Sequence, residues 1–490
     1  MIALSLARIA DIVGGRLADV TPEEAAETRV TGTVEFDSRA VGPGSLFLAL
    51  PGARADGHDY AAAAIGAGAV AVLAARPVGV PAIVVDPVAA EDGATGVLEH
   101  DTDGSGAAVL AALARLAAAV AAELVADGLR IVGITGSSGK TSTKDLIAAV
   151  LAPLGEVIAP PGSFNNELGH PWTVLRATPD TDFLVLEMSA RHPGNIAALA
   201  RIAPPSIAVV LNVGTAHLGE FGSREAIAAT KSELPQAVPS SGVVVLNADD
   251  PVVAAMADVT AARVVRVGRS PEADVWADNV TLDPLARAHF TLHAAQDEAD
   301  VSLAVHGDHQ VSNALCAAAV ALECGASLDQ VAAALATAGP VSRQRMAVTT
   351  RGDGVTIIND AYNANPDSMS AGLKALAWMG REARTWAVLG EMAELGEDAI
   401  SEHDRIGRLA VRLDVSRLVV VGTGRPMSAM LHGAVMEGSW GSEATPVADA
   451  DAALALLRAE LRPGDVVLVK ASNSAGLGAL ADALLAEGAR

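Results

Sequence analysis

Residues 133–144 read Gly133-Ile134-Thr135-Gly136-Ser137-Ser138-Gly139-Lys140-Thr141-Ser142-Thr143-Lys144. An apolar run at residues 130–134 precedes the glycines and predicts a buried strand, and residues 142–151 have a helical pattern. A glycine loop between a strand and a helix turns backbone N–H groups inward, and the helix start adds the positive end of its dipole. We therefore expect a phosphate-binding loop in which Lys140 reaches the β- and γ-phosphates and the Thr141 hydroxyl holds Mg²⁺.

This loop departs from the ordinary P-loop pattern. That pattern has a glycine five residues before Gly139, where this chain has Ile134, so the form here is Thr-Gly-x-x-Gly-Lys-Thr. The alternative interpretation is a structural turn without a ligand, which the strand–loop–helix context disfavours. The residues expected to surround the nucleoside triphosphate are Gly136, Ser137, Ser138, Gly139, Lys140, Thr141 and Ser142.

The length and composition predict a large α/β protein. A chain of 490 residues divides into about three domains at roughly 150 residues each. Hydrophobic residues make up 51% and aromatic residues only 3%, so the cores consist of Ala, Val, Leu and Ile, as is typical of parallel sheets. The net charge of −24 argues against a nucleic-acid or anionic membrane surface. An anionic ligand therefore depends on local positive groups.

The cysteines predict a reducing compartment. Cys316 and Cys324 lie in an Ala-rich helical stretch and form neither a metal pattern nor a disulfide framework, which favours free buried thiols. Residues 1–11 lack the cationic start and apolar run of a signal peptide. We therefore expect a cytoplasmic protein.

One apolar run has nearly the length of a membrane span. It covers residues 107–126, but Arg115 and Glu123 interrupt it and alanine is only weakly apolar. The run therefore favours a helix of a soluble protein, and we expect no membrane insertion.

Polar breaks divide the chain into predicted domains at residues 1–105, 106–340 and 341–490. Residues 99–106 form a polar linker, and Gly339-Pro340 ends a helical stretch. Apolar runs alternate with helical stretches throughout, as in open α/β sheets, and the last part resembles a second doubly wound, Rossmann-like unit. The predicted strands are 46–50, 69–73, 82–85, 183–187, 207–212, 243–247, 355–359, 385–390, 418–422 and 465–470, and the main predicted helices are 59–68, 311–324 and 328–338.

Polar residues follow three central strands, at the sheet edge where ligands of α/β proteins bind. Glu187 and His217 could ligate a divalent cation, although Mg²⁺ prefers carboxylates. Glu187 could equally be a helix-start or surface carboxylate, and a lone histidine such as His217 is more often a polar loop residue than a ligand. Asp249-Asp250-Pro251 favours a turn and helix start. Lys231 lies fourteen residues past His217 in a helical stretch that starts near Ser223, where a solvated surface position is the simpler interpretation.

Several ordered motifs together resemble the Mur ligase family, over about residues 37–470. Two blocks resemble the member that adds D-alanyl-D-alanine to UDP-N-acetylmuramoyl-tripeptide: residues 360–369, Asp-Ala-Tyr-Asn-Ala-Asn-Pro-Asp-Ser-Met, and 388–392, Val-Leu-Gly-Glu-Met. Asp37-Ser38-Arg39 and Asp56-Gly57-His58 resemble that family's N-terminal UDP-binding domain. The remaining matches are the loop at 135–141, Asn165-Asn166 before Gly169, Leu186-Glu187-Met188, residues 212–218 with Lys231, and Gly307-Asp308-His309 with Asn313.

The resemblance implies a role for each matching position. Lys140 and Thr141 match residues that hold the ATP phosphates and Mg²⁺, and Glu187 and His217 match metal ligands. Lys231 matches a lysine that is carbamylated in relatives, which would turn a cation that repels Mg²⁺ into a supporting anion. The other matches are Asn313 for adenine, Arg345 and Asp360 for the nucleotide, Ser38 and Arg39 for the uridine nucleotide, and Asn165, Asn166, Asn363 and Asn365 for the substrates.

The implied reaction is amide formation through an acyl phosphate, with ATP and Mg²⁺, by a chain expected to be monomeric. The alternatives are another Mur-type or folylpolyglutamate-type ligase, a small-molecule kinase, and a nucleotide-binding scaffold without turnover. Two departures from the family stand out. Residues 470–473 read Lys-Ala-Ser-Asn where many relatives have Lys-Gly-Ser-Arg, and Ser163 replaces an asparagine. Asparagine does not replace the guanidinium of that arginine in kind.

Overall fold

The computed structural model describes residues 1–53, 55–89, 96–214, 218–438 and 444–487. Within these residues the chain is α/β and builds an N-terminal, a central and a C-terminal sheet, each dominated by parallel strands. The expected fold class, with three α/β parts, is confirmed.

The N-terminal part is a small sheet with helices beside it. Strands β4 to β7 are parallel, β2 joins β7 antiparallel, and β1 pairs with β3 outside this sheet, whose order is β2-β7-β6-β5-β4. These elements are β1 (Leu4–Ser5), α1 (Leu6–Val13), β2 (Arg16–Ala18), α2 (Pro22–Glu27), β3 (Arg29–Val30), β4 (Val34–Glu35), β5 (Leu46–Leu48), α3 (Ala61–Gly66), β6 (Ala71–Ala74) and β7 (Ala82–Val84).

The long apolar helix α4 (Ser105–Ala126) joins the N-terminal part to the central part. It is long and apolar enough to cross a membrane, but 56% of its most apolar window is buried inside the protein. It packs against α1, and Arg115 donates to the Val13 carbonyl oxygen at 2.7 Å. Its first turn is fixed by Asp101, whose carboxylate accepts from the Ala107 N–H at 2.8 Å. The run at 107–126 is thus a core helix, as the sequence predicts.

The central part is one long sheet in the order β16-β15-β14-β13-β12-β11-β8-β10-β9. Apolar clusters cover both of its faces, which explains the continuous apolar runs of its parallel strands. The strands are β8 (Arg130–Thr135), β9 (Val157–Ile158), β10 (Phe183–Glu187), β11 (Ile207–Val210), β12 (Val243–Asn247), β13 (Arg263–Gly268), β14 (Val275–Leu282), β15 (Arg287–Ala294) and β16 (Asp297–His306). The helices are α5 (Lys140–Leu151), α6 (Gly169–Val174), α7 (Asn195–Ile202), α8 (Leu218–Phe221), α9 (Arg224–Lys231), α10 (Glu233–Ala237), α11 (Pro251–Ala254), α12 (Gln310–Glu323) and α13 (Leu328–Thr337).

The C-terminal part is a second doubly wound sheet, as predicted, in the order β17-β18-β22-β19-β20-β21. Only β17 runs antiparallel among the described strands of this sheet, and apolar clusters again cover both faces. The strands are β17 (Ala347–Thr350), β18 (Thr356–Asn359), β19 (Thr385–Leu389), β20 (Arg417–Val421), β21 (Ala444–Val447) and β22 (Val466–Lys470). The helices are α14 (Pro366–Met379), α15 (Ala399–Arg412), α16 (Arg425–Glu437), α17 (Ala450–Glu460) and α18 (Leu477–Glu487).

Local chemistry explains several boundaries. Helix α5 begins at Lys140, two residues before the predicted start, because Gly139 adopts a left-handed φ of 83° and ends the loop. The prediction of a helix start at Asp250 is confirmed, since its carboxylate accepts from the Val252 N–H at 2.9 Å. Helix α9 begins after Ser223, as expected.

Candidate active site

A cleft of about 1600 Å³ lies between the central and C-terminal sheets. Strand β8 is flanked by β10 on one side and β11 on the other, so the strand order reverses at β8 and leaves a crevice beyond its carboxyl end. The phosphate loop follows β8 directly. The sequence therefore places the loop at the position where α/β sheets bind ligands.

The phosphate loop is held in shape by its neighbours. The Ser138 N–H donates to Asn212 Oδ1 at 3.0 Å, and the Ser137 N–H donates to the Asn212 carbonyl at 3.1 Å. A Cβ on Gly139 would lie 2.8 Å from Asn313 Oδ1, so this position requires glycine for both its φ and its packing. Asn313, the predicted adenine contact, thus lies against the loop and lines the cleft.

Positive charge concentrates behind the loop. Lys140 donates to the Gly136 carbonyl at 2.7 Å, and burial lowers the pKa of Lys140 to about 8, with Glu187 opposing and Arg345 adding to this shift. Burial and the nearby Lys140 cation lower the pKa of Lys231 well below its ordinary value. The alternative of a solvated surface lysine at position 231 is wrong, because Lys231 is only 7% exposed.

Glu187 stands behind the loop at the end of β10. Its Oε2 accepts from Thr141 Oγ1 at 3.2 Å and from Ser163 Oγ at 3.0 Å. Its Oε1 is buried and has no hydrogen-bond partner among the described residues. A buried carboxylate oxygen without a partner, next to a hydroxyl, fits a hard cation such as Mg²⁺. The surface interpretation of Glu187 is therefore wrong.

The structure brings two of the three predicted metal ligands, Thr141 and Glu187, together. The third, His217, lies outside the described residues. Within the described part of the chain, no group of three or more His, Cys, Asp and Glu side chains is arranged to hold a metal. Mg²⁺ normally keeps several waters and takes few protein ligands, so a site of this kind suits it.

The C-terminal part faces the loop with another set of polar groups. Arg345 donates to Thr141 Oγ1 at 3.3 Å, and its guanidinium lies 4.3 Å from the centre of the Tyr362 ring. Asp360 accepts from the Met346 N–H at 3.1 Å and from Lys470 Nζ at 2.6 Å. Removing one partner of such a buried pair typically costs about 3–5 kcal/mol. Asp360 is therefore firmly held at the cleft wall.

The predicted substrate asparagines line the same cleft. Asn165 donates to Ser163 Oγ at 2.7 Å, and Asn166 Oδ1 accepts from the Gly169 N–H at 2.8 Å. Asn365 caps α14 by accepting from the Ser368 N–H and also donates to the Ser137 carbonyl at 3.3 Å, so it links the C-terminal part to the phosphate loop. Asn363 accepts from Lys470 through its backbone carbonyl.

Ser38 and Arg39 do not line this cleft. Arg39 is exposed and pairs with Asp37 at 2.7 Å. The loop that carries them meets the central part at Trp172, which donates to the Val34 carbonyl at 2.9 Å and contacts Phe36 edge to face. This loop therefore lies against the central part but outside the lining of the cleft.

Sequence reasoning assigned no role to several cleft residues. Lys470 is fully buried at the end of β22. A lysine that ends an apolar strand is a signal of a buried charge that needs a partner. Arg191 and Glu394 pair across the cleft at 3.1 Å, with no local pattern that predicts their meeting. Asn473, which stands where many relatives have arginine, is exposed and also lines the cleft.

Comparisons with known proteins agree with this geometry. Three family models match in chain order: the Mur ligase family catalytic domain at residues 32–121, the Mur ligase middle domain at 134–321 and the Mur ligase glutamate ligase domain at 344–473. The UDP-N-acetylmuramoyl-tripeptide–D-alanyl-D-alanine ligase of Mycobacterium tuberculosis is 77% identical, covering 99% of this chain and 98% of the relative. The enzyme of the same name from Escherichia coli is 35% identical over 86% of each chain.

Solved structures show the same similarity. A crystal structure of MurF from Acinetobacter baumannii has a TM-score of 0.82 at 28% identity and covers 99% of both chains. MurF ligase from Thermotoga maritima in complex with ADP has a TM-score of 0.75 at 27% identity and covers 94% of this chain and 98% of its own. The chain belongs to the Mur ligase family.

Proposed function

We propose that the protein is an ATP-dependent ligase that joins D-alanyl-D-alanine to UDP-N-acetylmuramoyl-tripeptide and forms the UDP-muramoyl-pentapeptide precursor of peptidoglycan. One observation carries the proposal: Lys140 and Thr141 face Arg345 and Asp360 across a single cleft, and the buried Glu187 accepts from Thr141 behind it. The relative at 77% identity over nearly the whole chain bears the name of this reaction. The shared cleft and the relative's name together favour it over the alternative ligases.

The chemistry explains why a phosphate loop serves amide formation. A carboxylate is a poor electrophile, so the tripeptide carboxylate attacks the γ-phosphorus of ATP and yields an acyl phosphate and ADP. The amine of the dipeptide then attacks the acyl carbon, and phosphate leaves. The first step needs charge neutralisation and in-line positioning more than covalent help.

Residues of this chain supply those needs. Lys140 and the start of α5 would place positive charge beside the β- and γ-phosphates, and Arg345 adds a guanidinium beside Thr141. Thr141 and Glu187 would hold Mg²⁺, which would neutralise phosphate charge when bound. His217 stays a prediction as a further ligand. We assign Asn313 to adenine and Asp360 to the ribose.

Carbamylation of Lys231 is part of the proposal. A lysine reacts with carbon dioxide as its neutral amine, and the lowered pKa of Lys231 increases the neutral fraction. The carbamate is anionic, so it would relieve the repulsion between Lys231 and Lys140. Burial protects the product from water, since Lys231 is 7% exposed.

The remaining assignments concern the substrates and the organisation of the chain. Asn165, Asn166, Asn363 and Asn365 would contact the peptide substrates in the cleft, and Ser38 and Arg39 the distant uridine nucleotide. We propose domains at 1–105, 106–340 and 341–490, supported by the helix start at Ser105 and the connection after Thr337. We propose that the protein is a cytoplasmic monomer, and the free Cys316 and Cys324 support the cytoplasm.

Isotope transfer tests this chemistry directly. The tripeptide carboxylate is labelled with ¹⁸O and turned over with ATP, Mg²⁺ and D-alanyl-D-alanine, and the released phosphate is analysed by mass spectrometry. An acyl phosphate predicts one ¹⁸O atom in each phosphate, because the carboxylate oxygen that attacks phosphorus leaves with it. Unlabelled phosphate would contradict the acyl phosphate, and a phosphorylated product without free phosphate would indicate a kinase.

A further inference from the structure

Lys144 is a buried cation to which the reaction assigns no role. It lies in α5, one turn after Thr141, and its side chain is 3% exposed. Burying an ammonium group is costly unless hydrogen bonds and opposite charges compensate it. The contacts of Lys144 therefore indicate what its charge does.

Those contacts converge on the residues around Glu187. Lys144 Nζ donates to the carbonyl oxygens of Pro160 at 2.5 Å and Gly162 at 3.0 Å. It lies 3.1 Å from Asp145 Oδ1 and 3.9 Å from Glu187 Oε1. This Oε1 is the same buried oxygen that has no hydrogen-bond partner in the described chain. Lys144 is thus a neighbouring positive charge that does not occupy the oxygen.

The loop that Lys144 holds is the loop that orients the carboxylate. Ser163 follows Gly162 directly and donates to Glu187 Oε2 at 3.0 Å. Thr141 donates to the same oxygen, and residues three apart on a helix share a face. One face of α5 therefore contacts Glu187 through the Thr141 hydroxyl and the Lys144 ammonium.

A second set of contacts ties the same network to the C-terminal part. Asp145 Oδ2 accepts from the Ser342 N–H at 3.0 Å, and Ser342 Oγ accepts from the Gly162 N–H at 3.1 Å. Three residues later, Arg345 reaches Thr141. The connection to the C-terminal part is thus fastened to the helix that carries Lys144.

We propose that Lys144 is a positioning residue for Glu187. It holds residues 160–163 so that Ser163 fixes Oε2, and its charge, 3.9 Å from Oε1, fixes the orientation of the carboxylate beside Thr141. The inference rests on the proposed function, in which Glu187 holds Mg²⁺ beside the nucleotide. The rival is a purely structural tie between a helix and a loop, which predicts lower stability but unchanged cation binding.

The test compares Lys144→Met with Lys144→Arg and with Lys374→Met, an exposed lysine on α14 that serves as the matched control. ADP binding is measured by calorimetry over a series of Mg²⁺ concentrations, well below each variant's melting temperature. We expect Lys144→Met to raise the Mg²⁺ concentration for half-maximal binding about tenfold or more, as for other residues that orient metal ligands. Lys144→Arg should recover part of the lost Mg²⁺ affinity, and ADP binding without Mg²⁺ should change little in either variant. If Lys144→Met needs no more Mg²⁺ for half-maximal ADP binding than the Lys374→Met control, the proposal is overturned.

A second variant keeps the test decisive if Lys144→Met does not fold. Lys144→Gln retains an N–H donor for the carbonyls of Pro160 and Gly162 but carries no charge. An unchanged Mg²⁺ requirement in Lys144→Gln would refute the role of the charge, and a raised one would support it. ADP binding needs neither acceptor substrate, so it can be compared among the variants whether or not the wild-type chain ligates. A wild-type chain that failed to ligate would contradict only the proposed function.

Discussion

At the residue scale, the site is defined by buried charges whose partners lie far away in sequence. Glu187 lies near Lys140 and Lys144, and Lys140 in turn lies near Lys231. The sequence identified Lys140 because its loop pattern is local. It assigned no role to Lys144, although this residue stands in the same motif. The role of Lys144 depends on its hydrogen bonds to carbonyl oxygens 16 and 18 residues away, which no local pattern predicts.

The first prediction concerns Lys231. We expect Lys231→Ala to abolish ligation, because the carbamate that offsets the charge of Lys140 is lost, and short carboxylic acids should partly restore activity by entering the space left by the side chain. The measurement is amide formation with and without added formate or acetate, with Lys374→Ala as the control. Full activity of Lys231→Ala without any acid would refute the carbamate.

At the element scale, the predictable part was the alternation of buried strands and helices. Strands β10 and β12 have the predicted bounds, because an apolar run between polar residues is a local signal. Strands β14 to β16, the antiparallel edge of the central sheet, were not predicted from the sequence. The sequence does contain the alternation of inward and outward residues that is typical of strands, since Ala288, Phe290 and Leu292 in β15 are all buried. Which sheet such hairpins join depends on pairing at long range, and no local pattern states it.

At the scale of the whole molecule, the central and C-terminal parts also meet at a pair of glycines on the far side of the cleft. The Gly219 N–H donates to the Glu394 carbonyl at 3.3 Å, and Arg191 pairs with the Glu394 side chain. A Cβ on Gly219 would lie 2.5 Å from the backbone nitrogen of Gly396. Backbone at this distance cannot move aside without separating the two parts.

The second prediction follows from that contact. We expect Gly219→Ala to fold normally, since alanine favours a helix, but to open the cleft, lower the ligation rate about tenfold and release phosphate in excess of amide, because water reaches the acyl phosphate. Small-angle scattering with all ligands should show a larger radius of gyration than the wild type. Gly66→Ala is the matched control, because Gly66 is a helical glycine with open space around it. A Gly219→Ala enzyme with wild-type rate and one phosphate per amide would contradict the role of this contact.

Release of ADP and phosphate with UDP-N-acetylmuramoyl-tripeptide, ATP and Mg²⁺, with and without D-alanyl-D-alanine, tests the proposed function most directly. We predict that sustained release requires both acceptors and that mass spectrometry finds one pentapeptide for each ADP. Release with a single amino acid in place of the dipeptide would contradict the assigned reaction and indicate a different ligase. No release with this acceptor pair would also contradict it and leave only a nucleotide-binding cleft.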